Sequence, residues 1–472
     1  MRDNMKIFNI LDYGVKSGAD TLQTKEIQAA IDDCFLSGGG EVIVPDGTYL
    51  TGDIRLRSNI TLHLLENARI VGSRNPLDYF NHRNDKIEPL AKDRITDKLI
   101  NNSAAMSADI PKNISELKGT QEFEKWLSRQ WLKKIPSSRW MNAIIRAIDA
   151  ENVKIVGERG SVIDGANCYD PLGEGYCRGP HAINFFGCKN ICFEGYAVKD
   201  SANWAHNILY CDNVVFKNVT VEAGHDGIDV SGCSNVNIIG CRLYTGDDCI
   251  AGFANTNVFI SGCELNSSCS TLRFGGTNVF VSKCRMYGPG KFAMRGLMTD
   301  EEKKSSTPSK SGWGPLAAFT YYASYSLDID NQPGNIIISD CKIENADKIL
   351  HYNYSGTERW QLNRPLADIT FENTDADNIK YPMILYGDEV QKITLKLDNM
   401  NISFSDKFPS DSLIHACNYE RIILKNVNVK NLKGENVIKA WSDGETIFEN
   451  VDAGDAKCGV AVQKSEFITN VI

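Results

Sequence analysis

The chain has 472 residues, 42% hydrophobic and 24% charged, with a net charge of −9. This is the composition of an ordinary soluble protein, long enough to bury a large core. No apolar run approaches the roughly 18 residues of a membrane span, and an acidic chain without a basic block argues against nucleic acid as a partner.

Residues 7–75 open with Asp12-Tyr13-Gly14-Val15. A helix follows, with Ile27, Ala30, Ile31 and Cys34 on one face, and Gly38-Gly39-Gly40 stops it. A strand at Val42-Ile43-Val44, the turn Pro45-Asp46-Gly47 and a second strand come next. The segment Met1–Lys6 lacks the apolar core of a signal peptide. Residues 76–138 are charged. Phe123, Trp126, Leu127 and Trp131 are spaced for a helix, which is either a side insertion on the body of the protein or a lid beside a site.

Residues 139–294 are regular. A phrase of Asn, a β-branched residue, any residue and an apolar one starts at Asn190, Asn213, Asn235, Asn257 and Asn278, in steps of 23, 22, 22 and 21. Asn152 and Asn335 carry it further out. Asp368-Ile369-Thr370-Phe371, Lys392-Ile393-Thr394-Leu395 and Arg421-Ile422-Ile423-Leu424 are degraded copies. A period near 22 built from strand-forming residues predicts a solenoid of strands. Leucine-rich repeats share the period but need a leucine ladder, which is absent. The fold class is therefore all-β, a parallel β-helix. The N-terminal helix would cap its open end, whose edge is otherwise unpaired. A solenoid grows without dividing, so residues 1–472 are read as a single β-helix domain. A second interruption, 296–334, contains the aromatic-rich stretch Trp313–Tyr325, which either stacks on sugar rings or anchors a loop. Residues 335–472 carry weaker coils to the end.

Residues at one offset from the phrase stack in columns about 4.8 Å apart. Thirteen positions after each Asn stand Asn203, Asp226, Asp248, Ser270 and Lys291. One position earlier stand His225, Asp247 and Cys269. Sixteen positions on stand His206, Asp229, Ala251 and Arg273. These columns are polar, so they should face solvent or a cleft. Asp226, Asp247 and Asp248 should converge on one face of the coil, in a groove, and Gly246 would let a bulge turn both members of the Asp-Asp pair outward. Like charges this close raise at least one pKa. That suits glycoside hydrolysis, which needs one protonated and one ionised carboxyl; calcium ligation and turn formation are the other uses of such aspartates.

The fifteen cysteines recur at equivalent positions. Cys188, Cys211 and Cys233 precede a phrase by two residues, and Cys241, Cys263, Cys284 and Cys341 follow one by six. Such placement predicts stacked, buried free thiols at coil corners. No Cys-x-x-Cys pair points to zinc. Many free thiols without a signal peptide favour a reducing compartment, the cytoplasm.

From Asp12-Tyr13-Gly14-Val15 through Gly160-Ser161-Val162-Ile163-Asp164-Gly165 to about residue 295, the sequence resembles glycoside hydrolase family 28, the polygalacturonase-like enzymes. Ser201-Ala202-Asn203-Trp204-Ala205-His206 resembles the family's Trp-x-His stretch. Gly246-Asp247-Asp248 matches its Asp-Asp motif, and Gly224-His225-Asp226-Gly227 matches the Asp-Gly half of Asn-Thr-Asp-Gly. The resemblance implies a right-handed parallel β-helix. It also implies Asp247 as general acid, with Asp226 and Asp248 holding and activating water. Two motifs depart. Cys269-Ser270-Thr271 stands where the family has Gly-His-Gly, and Arg295-Gly296-Leu297 stands where it has Arg-Ile-Lys. In the family those basic residues bind the galacturonate carboxylate. His206 and His225 are the candidates to replace the histidine. Arg273 either binds an acidic sugar or neutralises the aspartates, and Lys291 and Arg295 complete the basic set.

The expected function is an inverting, exo-acting hydrolase of a pectin-related or other uronic-acid-containing oligosaccharide, with no metal or cofactor. Its partner is an oligosaccharide, not nucleic acid or membrane. A polysaccharide lyase or epimerase and a non-catalytic glycan-binding β-helix are the alternatives.

Overall fold

The computed structural model describes residues 6–79, 142–173, 177–295, 298–304, 314–323, 332–354, 361 and 364–463. The helix expected in Gln121–Lys134, and with it nearly all of the 76–138 interruption, lies outside those residues. The chain divides into two compact units: Met1–Thr245 with Phe292–Ser309, and Gly246–Lys291 with Lys310–Ile472. Each is built of parallel β-helix coils.

In the first unit, strands Gly40–Val44, Ile60–Leu64, Glu151–Gly157, Lys189–Glu194, Asp212–Lys217 and Ser234–Ile239 pair in parallel, each with the strand one coil on. From Ile60–Leu64 on, these strands carry the repeated phrase. Two further ladders complete each coil. One runs from Gly47–Thr51 to Arg242–Thr245 and the other from Ile54–Leu56 to Ile228–Ser231. Apolar positions of the phrase stack inward. Ile155, Phe193, Phe216 and Ile238 share a register and are all fully buried. The rings of Phe193 and Phe216 stack at 4.6 Å, and burying each side chain contributes about 1.5–3 kcal/mol.

The Asn of the phrase has a backbone reason. Asn59, Asn152, Asn190 and Asn213 have φ of +62°, +58°, +55° and +56°. This left-handed corner costs most residues roughly 1–2 kcal/mol, and Asn tolerates it best after Gly. Their amides also bond from coil to coil. Asn152, Asn190 and Asn213 each donate Nδ2 to the Oδ1 of the preceding Asn, at 2.9, 3.1 and 2.9 Å.

The helix at Thr24–Leu36 buries Ile27, Ala30, Ile31, Cys34 and Phe35 against the first coils. Its polar side chains close the sheet edge, as expected of a cap. Gln28 Oε1 accepts from the Arg55 backbone N–H at 2.8 Å, and Arg57 Nε pairs with Asp32 at 2.8 Å. It ends at a Ser37 cap followed by Gly38 and Gly39, at φ +103° and +105°, and a Cβ on Gly39 would clash with the Asn59 carbonyl oxygen.

The second unit repeats the plan. Ile250–Ser261, Ser270–Ser282, Gly334–Ser339, Asp368–Glu372, Ile393–Phe404, Tyr419–Lys430 and Glu445–Asp452 pair in parallel in that order. An Asn ladder continues through Asn257, Asn278 and Asn335, with amide bonds of 3.0 and 2.9 Å. Two sequence expectations need correction. Asp368 pairs with Thr394, so the phrase of that coil is Thr394–Leu397, two residues later than Lys392–Leu395. And the aromatic stretch is not a loop: Ala317–Tyr321 is a coil strand, paired with Ser270–Phe274 and burying Phe319 and Tyr321.

All fifteen cysteines are free, and twelve are buried. They stack as expected. The backbone N–H groups of Cys188 and Cys211 point at the sulfurs of Cys211 and Cys233, at 3.3 and 3.4 Å. No helix among the described residues is long and apolar enough to cross a membrane.

Candidate active site

In the second unit, Asp247 and Asp248 occupy the bend before strand Ile250–Ser261. The Ser267 hydroxyl holds that bend from the next coil: it donates to the Asp247 carbonyl at 2.6 Å and accepts the Cys269 N–H at 2.8 Å. Asp247 Oδ1 in turn accepts the Asp248 N–H at 3.1 Å. The two aspartates lie in a bend, so strand alternation does not force them apart.

Asp248 is fully enclosed. Burial and then the Asp247 charge push its carboxyl up to about 6, against the pull of Arg273 and of hydrogen bonds from Ser270 and Cys269. Arg273 Nη1 lies 3.5 Å from Asp248 Oδ2. The ring of Tyr322 supports that guanidinium from 4.4 Å. Both alternatives read for Arg273 stay chemically available, since it opposes Asp248 and remains 27% exposed. Ser270 pairs with Ala317, and its hydroxyl lies 3.2 Å from that of Thr320. Lys291 is exposed, and its backbone N–H donates to Asn266 at 2.7 Å.

Two carboxylate oxygens and the Cys269 sulfur, within 4.8 Å of one another, make the one group of at least three potential metal ligands among the described residues. Arg273 already offsets the charge of Asp248 there.

In the first unit, His225 and Asp226 occupy the corresponding bend, before strand Ile228–Ser231. Asp226 is 5% exposed. Asp229 accepts the Ser231 hydroxyl at 3.0 Å, a structural bond. His225 is fully buried. Burial, then Arg178, Arg295 and His181, hold its imidazole well below the usual histidine range.

Two of the expected substrate-binding residues are placed elsewhere. His206 pairs with Ile228, not with Asp229. Its ring points into the coil, among Phe193 and Phe216, with Nε2 at 2.9 Å from the Tyr196 hydroxyl and Nδ1 at 3.0 Å from the Gly227 carbonyl. Burial lowers it to about 4. It is a core residue. The offset failed because Asn190 and Asn213 are 23 apart while His206 and Ile228 are 22 apart. The turn before His206 absorbs the extra residue. Arg295 is 2% exposed, and its guanidinium donates to three backbone carbonyls: Ala202 at 3.3 Å, Asn167 at 2.8 Å and Lys303 at 2.8 Å. That is a clamp joining segments of the first unit. Gly296 and Leu297, where the motif departs, lie outside the described residues.

The sequence reading missed Arg178, whose Nη1 donates to Asn203 Oδ1 at 3.3 Å. Arg178 lies between the phrases at Asn152 and Asn190, where the column offset lands on Gly165, so the repeat does not mark it. It also missed Tyr322 as the support of Arg273.

The profile described as "Glycosyl hydrolases family 28" matches residues 96–270, which include Asp226, Asp247 and Asp248. An exo-poly-alpha-D-galacturonosidase of Dickeya chrysanthemi is 27% identical over 263 residues, covering 52% of this chain and 41% of that protein. The match thus spans well under half of that relative's length. Among solved structures, the family 28 exopolygalacturonase of Yersinia enterocolitica is similar at a TM-score of 0.61 and 17% identity, covering 96% of this chain and 80% of that one. The exopolygalacturonase of Thermotoga maritima gives 0.56 and 18%, covering 89% and 92%. The structural likenesses bear on the fold, a parallel β-helix; residues 96–270, the stretch holding the three aspartates, match glycosyl hydrolase family 28.

Proposed function

We propose that the protein is an inverting, exo-acting glycoside hydrolase of uronic-acid-containing oligosaccharides related to pectin. The Asp247–Asp248 pair carries the reading: two carboxylates within 4.8 Å, in the family-matched stretch, with the Asp248 carboxyl raised to about 6. Hydrolysis of a glycoside needs a proton at the leaving oxygen and an ionised carboxylate at the attacking water. Asp247, the more accessible of the two, delivers it. Asp248, ionised above about pH 6, orients and activates the water.

Exo-action is supported by the Dickeya relative, whose name is that of an exo-galacturonosidase. The free, stacked thiols fit a reducing compartment, the cytoplasm, where short oligosaccharides rather than polymer are the available substrate.

A ladder of oligogalacturonates of defined length tests the reading. The expected products are one sugar unit at a time from short chains, with new reducing ends and no unsaturated, ultraviolet-absorbing ends. Mixed intermediate lengths early in the reaction would exclude exo-action, and unsaturated ends would make the protein a lyase.

A further inference from the structure

Strand Ser270–Ser282 sets Leu272 and Phe274 into the coil, fully buried, so alternation turns Arg273 outward between them. Its neighbours one coil back and one coil on are Ala251 and Thr320, neither of them charged. The guanidinium ends between two groups of the same unit. Nη1 lies 3.5 Å from Asp248 Oδ2, and the guanidinium carbon lies 4.4 Å from the centre of the Tyr322 ring.

Tyr322 is itself held in place. Its backbone N–H donates to the Phe274 carbonyl at 3.1 Å. Gly275 permits that approach, because a Cβ there would clash with the Tyr322 carbonyl oxygen. The Phe253 ring meets the Tyr322 ring edge-on, with centres 4.8 Å apart and planes at 72°. Both residues are buried. The stack runs Phe253, Tyr322, Arg273, Asp248, and each member fixes the next.

That support is needed. A contact of 3.5 Å is at the long limit of a hydrogen bond, and a long, flexible side chain gives up rotamer freedom to make it. The ion pair alone would leave the guanidinium loosely placed. A flat aromatic face fixes the plane of a guanidinium, which a lysine ammonium does not share. The charge of Arg273 is spent as well. With Asp247 protonated as the acid, Arg273 and an ionised Asp248 cancel. With both aspartates ionised, the group is negative. Neither state leaves a surplus cation to draw the carboxylate of a sugar.

We infer that Arg273, stacked on Tyr322, is a positioning residue that holds the Asp248 carboxylate in one orientation toward the attacking water and does not read the substrate. The inference rests on the hydrolase reading above and decides between the two roles open to this arginine. It also accounts for an altered motif. Ser270 stands where the resemblance expects a histidine, and Arg273, three residues on, supplies a cation beside the same aspartates.

Steady-state kinetics of full-length variants on a short oligogalacturonate test this. Arg273→Ala should lower kcat about 100-fold, as misplacing a reacting group does, with KM little changed. Guanidinium chloride, far below denaturing concentrations, should restore part of the lost kcat. Arg273→Lys keeps the charge but not the stack and should lose about tenfold. Tyr322→Leu should lose about as much, and Tyr322→Phe, which keeps the ring, clearly less. A rise in KM with kcat held would make Arg273 a reader of the substrate and overturn the assignment. Equal kcat in the two Tyr322 variants, or no recovery with guanidinium, overturns it too. If Arg273→Ala does not fold, Arg273→Lys and the Tyr322 pair decide. Denaturation midpoints at pH 7 read the ion pair without activity. Arg273→Ala should lower the midpoint of the parent, and much less that of Asp248→Asn, where no carboxylate is left unpaired. Equal losses in the two backgrounds overturn the pair. Coupled midpoints in a chain that hydrolyses nothing retain the pair and reject the hydrolase. Hydrolysis with uncoupled midpoints does the reverse.

Discussion

Asp247→Asn should lower kcat by roughly a thousandfold, within the 10²–10⁴ that a positioned general acid contributes. KM should change little. An amide cannot deliver the proton that the leaving glycosidic oxygen needs, yet it fills the same space. Its oxygen can still accept the Asp248 N–H, now at 3.1 Å from Asp247 Oδ1, so the melting temperature should stay close to that of the parent. A substrate with an aryl leaving group of low pKa departs without help from an acid, and on it the loss should be much smaller. Steady-state kinetics on the two substrates make the comparison. An equal loss on both would mean that Asp247 positions or binds and does not donate the proton.

Much of the fold was legible because the β-helix writes its corners into the sequence. A left-handed turn in every coil selects Asn, and stacked coils let each amide bond to the next, so the phrase at Asn190, Asn213, Asn257 and Asn278 marks real corners. Asn59-Ile60-Thr61-Leu62 carries the same phrase and heads the first-unit ladder. It escaped notice because 93 residues separate it from Asn152, where the period predicts about 22. The placement of site residues was less legible. A fixed offset assumes coils of equal length, and one extra residue turned His206 from the surface into the core. A motif match identified Arg295 but could not show that backbone carbonyls occupy its guanidinium. Arg178 belongs to no motif. Only the coil geometry brings it to Asn203, and its neighbours in sequence give no sign of that.

The pH dependence of stability should change most with Asp248→Asn. A carboxyl in an unfolded chain titrates near 3.9, whereas Asp248 is raised to about 6, by burial first and Asp247 second. A carboxyl with a raised folded-state pKa favours the folded protein while it is protonated. That contribution is fully present below the unfolded value and is lost as pH rises through about 6. At 1.36 kcal/mol per unit, ionising Asp248 costs the folded state about 3 kcal/mol between pH 4 and pH 7. Asp248→Asn removes that cost and abolishes activity in the same step. Denaturation midpoints across this range should show the variant gaining steadily on the parent, with the difference levelling off above pH 7. Parallel stability profiles would mean that Asp248 is not held protonated in the folded protein.

The central claim is that the carboxylates of this chain hydrolyse a glycosidic bond by direct attack of water. Proton NMR of the first product released by the unmodified protein from a short oligogalacturonate tests it most directly, before the anomers equilibrate. Single displacement predicts a product whose anomeric configuration is opposite to that of the bond cleaved. A first-formed product that retains the configuration of the substrate would contradict it.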